Sequence, residues 1–205
     1  MSVDEAAAPA DATCQRYLDA LRAEFGDKVL GAEITKTDLI VRIDRSVWVD
    51  TAKFCKAKLG LRFFCFLSGL DWLASDVQAT RYENIWGSVD DEGDDAEGGA
   101  AEASEADAPT DAPADAAPAG FVTGKAGGDT RFQVFARYSS PTEHRGVIVK
   151  ADLDDADPRV PTLSTVFGGA DWHERETSEM FGFGFDGHPN LVHIYLPGAF
   201  EGYPL

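Results

Sequence analysis

No apolar run in this chain of 205 residues approaches the ~20 that a membrane-spanning helix requires. The most apolar stretch, Phe63-Phe64-Cys65-Phe66-Leu67, has only the length of a buried strand. Cysteine is scarce. Cys14, Cys55 and Cys65 are odd in number and lack the paired spacing of a zinc site or a disulfide framework. An iron–sulfur cluster calls for about four clustered cysteines, so the chain is expected to hold none of its own. The three are expected to be buried, reduced thiols. Basic residues are few: 18 Lys or Arg face 36 Asp or Glu, a net charge of −18 that argues against non-specific nucleic-acid binding. Met1 to Ala12 lacks the positive n-region of a secretory signal, and it reads as a disordered N-terminus over 1–12.

What is present divides unevenly. Residues 89–118 hold eleven Asp or Glu and no Lys or Arg, among many alanines and glycines. Without them the chain has 25 acids against 18 bases, so most of the acidity belongs to one segment. Its composition cannot bury apolar surface and predicts a disordered acidic loop. Over the whole chain, 44% hydrophobic residues and 11% aromatics suffice for a core. One domain is expected over 13–88 and 119–160, interrupted by the loop, with a distinct C-terminal segment over 161–205.

Periodicity supplies the elements. Cys14, Tyr17, Leu18, Leu21 and Phe25 recur at helical spacing, and Gly26 ends the run. Leu30–Ile34 and Leu39–Ile43 read as strands about a Lys36-Thr37-Asp38 turn. Ser46 is placed to cap a helix that turns Trp48, Ala52, Cys55 and Leu59 inward and stops at Gly60. Leu61–Leu67 and Thr80–Trp86 read as strands, and Arg131–Tyr138 pairs with Gly146–Ala151 as a hairpin. Pro158 and Pro161 mark a boundary, and Leu163–Gly168 reads as a short helix. Strands grouped with a few helices, without strict βα alternation, predict an α+β fold. Its expected form is a two-layer, mixed and mostly antiparallel sheet with helices on one face, plus an extended C-terminal arm.

The most specific stretch is 171–189, where His173-Glu174-Arg175-Glu176 runs into Phe181, Phe183 and Phe185 alternating with glycines. A solvated face has no need of three phenylalanines, and a plain core does not carry four charges. Asp171 with Glu174 resembles a capping box, Arg175 and Glu179 are spaced to pair along a helix face, and Gly182 is a C-terminal stop. A helix is expected over Trp172–Phe181.

Three catalytic motifs fail here. Gly182-Phe183-Gly184-Phe185-Asp186-Gly187 spells the dinucleotide fingerprint, but a charged helix precedes it and Pro189 follows. His173-Glu174 opens like a zinc-protease helix, but Thr177 stands where the second histidine belongs. His188 and His193 are five apart, on opposite sides of a strand, and share no metal site without further ligands.

The run Glu174-Arg175-Glu176, Glu179-Met180-Phe181-Gly182 and then Phe185, Gly187-His188-Pro189-Asn190-Leu191 resembles the signature of the 30 kDa subunit family of respiratory complex I, the C-type subunit of the bacterial NADH-quinone oxidoreductase. The resemblance covers roughly 171–197. This chain departs from it at Glu179, where the family usually has Asp, and at Val192-His193, where two arginines are common. The family typically continues past Leu205 into a basic segment. The resemblance implies a non-catalytic scaffold of the peripheral arm, on the cytoplasmic side of the bacterial membrane. Membrane association would come only through the complex.

Its implied partners are the quinone-site large subunit (49 kDa, D-type), the small iron–sulfur subunit (B-type) and other peripheral-arm subunits. FMN, iron–sulfur clusters and quinone would belong to other subunits, with no cofactor on this chain. The expected contact residues are Trp172, Glu174, Arg175, Glu176, Glu179, Phe181, Phe185, Gly187, His188 and Pro189. Membrane-bound hydrogenases, formate hydrogenlyase-like complexes and deazaflavin- or ferredoxin-oxidising relatives share this type of component. A stand-alone hydrolase using Glu174 or Glu176 with His173 or His188 is the competing reading.

Overall fold

The computed structural model describes residues 12–73 and 123–205. The expected strand at Thr80–Trp86, the acidic loop at 89–118 and most of the N-terminal tail lie outside the described residues. Helix α1 (Ala12–Phe25) buries Cys14, Tyr17, Leu18 and Leu21 and passes into a 3-10 turn at Gly26–Lys28. Strands β1 (Val29–Ile34) and β2 (Asp38–Ile43) follow, then helix α2 (Trp48–Ala57) and strand β3 (Phe63–Asp71). Beyond the acidic segment come β4 (Phe132–Ser140), β5 (Arg145–Asp152), β6 (Arg159–Pro161), α3 (Ala170–Phe181) and β7 (Gly184–Asp186).

Five strands form one sheet in the order β1-β2-β5-β4-β3. Within it the β2–β5 pairing is parallel, and β1–β2, β3–β4 and β4–β5 are antiparallel. Side chains two apart share a face. The registers therefore align Leu39, Val41 and Ile43 with Val147, Val149 and Ala151, then with Tyr138, Ala136 and Val134, and with Leu67. All ten are buried, and they form the core with residues of α1, α2 and α3. The opposite face is mixed: Arg137 pairs with Asp38 at 2.8 Å and Arg42 with Asp152 at 2.8 Å, beside Ile40, Ile148, Phe66 and Phe135. The mixed, mostly antiparallel sheet with helices on one face is the architecture the sequence implies.

Several local readings change. Asp44, not Ser46, caps the turn before α2; its carboxylate accepts the Ser46 N–H at 2.8 Å. A carboxylate immediately before the turn reaches the free amides better than a hydroxyl already inside it. Leu163–Gly168 forms turns, not a helix, with Val166 N and Phe167 N both donating to Leu163 O. Pro161 ends a strand instead of a domain, for β6 pairs in parallel with β7. Cys14 and Cys55 are buried, but Cys65 is only half-buried. It is the extra residue of a bulge between Phe64 and Phe66, which takes it out of the pleat and beside Ser139 Oγ at 3.3 Å.

Helix α3 and β7 reach the core face because Gly69 has no side chain. A Cβ there would stand 2.8 Å from Phe183 and 2.9 Å from Phe181. Gly69→Ala is therefore expected to lower stability by about 1–3 kcal/mol through overpacking. A fall in the urea midpoint with unchanged far-ultraviolet circular dichroism checks this, and an unshifted midpoint refutes it.

Candidate functional site

The signature segment starts at α3. Gly169 precedes the helix without a side-chain cap, and Asp171 lies in the first turn. Gly182, at φ 76°, closes the helix with its N–H on Ser178 O. The expected capping box does not form. Glu174 is fully buried and turns away from the helix start: Leu163 N donates to its Oε1 at 2.6 Å, and Thr162 donates to its Oε2. It thereby satisfies the turn after β6, where the chain has no ladder partner. Burial, opposed by these two bonds and aided by Asp171, pushes its carboxyl up to about 7.

Arg175 and Glu179 do not pair with each other either. Both serve the backbone of the C-terminal arm. Arg175 Nε donates to Val192 O at 2.9 Å and Nη2 donates to His193 O at 3.1 Å. Glu179 accepts N–H bonds from Ile194 and Tyr195, each at 2.9 Å, and from Leu196 at 3.4 Å. Residues 187–196 contain no strand, so these amides and carbonyls have no ladder to join. Burial alone would raise the Glu179 carboxyl. The three amides, with His193, outweigh it and hold the group below the ordinary range.

The arm lies lengthwise along α3. At its root, His188 Nε2 stands 3.2 Å from Asp171 O. Val192 to Leu196 follow at Arg175 and Glu179. At its end, Leu205 N donates to Met180 O at 3.0 Å, and the Tyr203 ring covers Gly182, where a Cβ would meet it at 2.8 Å. With its backbone held, the arm turns large apolar side chains outward. Leu191, Val192, Tyr195, Phe200 and Tyr203 are exposed, and so is Trp172 on the helix beside them, at 64%. Arg175 lies 5.9 Å from the centre of the Trp172 ring.

The ten residues singled out from the sequence thus divide. Trp172, Gly187 and Pro189 are exposed, and Arg175 and Glu176 are partly so. Glu174, Glu179 and Phe185 are buried, and Phe181 packs against the core. The His188 side chain is also buried, at 1% exposure. These buried groups support the exposed strip from below and form no part of its surface. Leu191, Val192, Tyr195, Phe200 and Tyr203 are the surface residues that motif reading misses. Their signal is a series of apolar residues from Leu191 to Tyr203 that no strand partner accounts for.

The hydrolytic arrangement does not assemble. His188 and Glu174 come within 3.7 Å, but both side chains are buried. His173 packs on Phe64 with ring centres 5.5 Å apart. An open, charged cleft of about 600 Å³ is lined by residues including Asp44, Arg45, Asp157, Arg159 and Asp186, and by none of the four proposed catalytic residues.

The fold and its arm define an α+β protein whose distinctive feature is an apolar strip laid along a helix. Residues 113–205 match the family described as respiratory-chain NADH dehydrogenase, 30 Kd subunit. The C/D subunit of the NADH-quinone oxidoreductase of Serratia proteamaculans (strain 568) is 47% identical over 74 residues, 36% of this chain and 12% of that protein. The protein of the same description from Yersinia pestis (strain Pestoides F) is 44% identical over 77 residues, 38% of this chain and 13% of its own length. The chain thus spans about an eighth of the curated relatives it matches. A solved structure described as Nqo5 of the trypsin-resistant fragment (1-134) in P63 form aligns with a TM-score of 0.52 and 22% identity. That alignment covers 87% of this chain and 99% of the other, and it shows the shared fold. Residues 113–205 of this chain thus resemble the 30 kDa subunit family of respiratory complex I.

Two carboxylates of one helix are expected to respond oppositely to pH. The folded state favours protonated Glu174, so its contribution is fully present below about 4.5 and is lost as pH rises through about 7. Glu174→Gln should flatten that slope, worth roughly 3 kcal/mol across the window. Glu179 is depressed, so its contribution is present at neutral pH and is lost as the solution is acidified through its folded value. Glu179→Gln keeps one oxygen for three amides and should raise hydrogen exchange at Ile194, Tyr195 and Leu196 about tenfold. Equal protection in the variant would remove the carboxylate from its role on the arm.

Proposed function

We propose that the chain is a non-catalytic scaffold subunit of the peripheral arm of a respiratory NADH:quinone oxidoreductase. It docks on the D-type, quinone-site large subunit through the strip along α3. The complex would carry electrons from NADH to quinone, coupled to proton translocation. FMN, iron–sulfur clusters and quinone would be held by other subunits. The observation that carries the reading is the arm: an ordered backbone, fastened by two charged side chains, with its aromatic and aliphatic side chains facing out. Aromatic anchors on a preordered segment suit a protein interface, because little ordering remains to be done on binding.

The relatives' description as a C/D subunit, two subunit types in one chain, supports a D-type partner. The small, B-type iron–sulfur subunit is the expected second neighbour. Among the described residues no helix is long and apolar enough to cross a membrane, and the chain would sit peripherally on the cytoplasmic side through its partners. The equivalent components of membrane-bound hydrogenases, formate hydrogenlyase-like complexes and deazaflavin- or ferredoxin-oxidising complexes would use the same strip.

The direct test is purification of the tagged full chain from its native membrane. A multi-subunit assembly containing iron and NADH:quinone reductase activity is expected, and a lone chain would sink the proposal. Arg175→Ala should weaken capture of the large subunit tenfold or more while the free chain stays folded. Lys at 175 should rescue only in part, since one ammonium cannot reproduce the fork that holds the Val192 and His193 carbonyls together. Undiminished capture by Arg175→Ala would separate the clamp from docking.

A further inference from the structure

Positive charge gathers at the end of α2. From Thr51 to Leu70 the sequence holds Lys53, Lys56, Lys58 and Arg62 and no acid, in a chain where acids outnumber bases two to one. Asp50 neutralises Lys53 at 3.2 Å. The other three cations are exposed, and among the described residues none of them has a carboxylate partner. Glu24 of α1 lines a shallow hollow with Lys58 and forms no ion pair with it. Lys56 donates to Val166 O and lies 4.8 Å from the centre of the Phe167 ring, which holds it in place with its charge intact. Directly after Arg62, Phe63 opens β3 at 58% exposure.

The negative end of a helix dipole favours cations, which accounts for Lys56 and Lys58. It does not account for Arg62, which lies beyond α2, or for an exposed phenylalanine beside it. Cations around an exposed aromatic ring suit a contact with carboxylates and apolar groups together. The patch also adjoins the strip. Phe64 packs on Phe167 and on His173, with ring centres 5.5 Å apart in each case. Phe63 and Lys56 are thereby set beside the start of α3, where Trp172 stands exposed.

Screening selects the kind of partner. Charges act over about 10 Å at 0.1 M salt. An acidic protein segment can seat within that distance of Lys56, Lys58 and Arg62 alone. A bilayer or a nucleic-acid duplex presents its charge more broadly and meets the rest of a chain of net charge −18, which repels it.

We propose that Lys56, Lys58, Arg62 and Phe63 form a second docking surface, for an acidic segment of a partner protein. The three cations face its carboxylates, and the Phe63 ring takes an apolar side chain set among them. The strip along α3 and this patch then recognise different chemistry from adjoining positions. The patch does not rest on the function proposed above.

The test titrates the full free chain into a fluorescein-labelled peptide of glutamates around one central phenylalanine, read by anisotropy. Saturable binding is expected, weakening about tenfold between about 0.02 M and 0.2 M salt. Lys58→Glu together with Arg62→Glu should weaken it about tenfold at low salt, and the milder pair Lys58→Gln and Arg62→Gln about threefold, with circular dichroism unchanged. Phe63→Ser should cost about threefold at either salt. Lys58→Glu alone should weaken binding more than Lys36→Glu, an equal change in net charge on the exposed turn between β1 and β2. No saturable binding at low salt overturns the patch, and so does an equal loss in Lys36→Glu, which would make the effect one of net charge. Tighter binding to phosphatidylglycerol vesicles or to a DNA duplex, lost in the Lys58 and Arg62 pair, would also overturn it in favour of that partner. Peptide binding that follows salt and variants as expected supports the patch whether or not the large subunit is captured; absent capture then counts against the docking function alone.

Discussion

The C-terminal half of this molecule depends on one carboxylate. Glu179 is buried at 2% exposure and gathers the amides of Ile194, Tyr195 and Leu196. A buried carboxylate needs donors, and an arm without a strand partner needs acceptors; each meets the other's requirement. One turn earlier Arg175 does the complementary work on two carbonyls. Had the two charges paired with each other, as their spacing allows, five backbone groups of the arm would have lost their protein partners. Ionised groups make the stronger hydrogen bonds, so the backbone of a segment with no regular structure is held nearly as a strand would be.

That arrangement needs a rigid helix, and the sheet supplies it. β5 lies between β2 and β4, so the first half of the described chain and the second share one ladder. The core face is continuous from Leu39 through Val147 and Tyr138, and Gly69 opens the place where Phe181 and Phe183 seat α3 and β7. Glu174 then ties the first turns of α3 to the turn after β6. The helix is fixed at both ends before the arm is laid on it. The family match at residues 113–205 contains α3 and the arm but not β1, β2 or β3, on which their position depends.

Chemistry at this site is supportive in kind. The charged residues that most resemble catalytic groups are spent on backbone partners, and the surface they leave is apolar. Trp172, Leu191, Val192 and Tyr195 offer contact area with few rotatable bonds. The polar cost of ordering the arm is met within the chain, so the apolar strip is already formed in the free chain.

The sequence by itself determined the fold class, the helices at Ala12–Phe25 and Ala170–Phe181, the β4–β5 hairpin and the glycine stop at Gly182. These follow from periodicity and backbone preference, which are local. It also singled out Arg175, Glu179 and His188, but not what they do. Helical spacing pairs Arg175 with Glu179, and proximity to the helix start assigns Glu174 to a cap; both readings consider only neighbours along the chain. The structure brings Val192 to Leu196 to one pair and Thr162 and Leu163 to the other residue, across 11 to 18 positions. A charged side chain takes whichever orphan donors or acceptors the packing delivers, and periodicity does not encode that delivery. Only the tertiary structure could decide which charges face inward and which apolar residues are left outside.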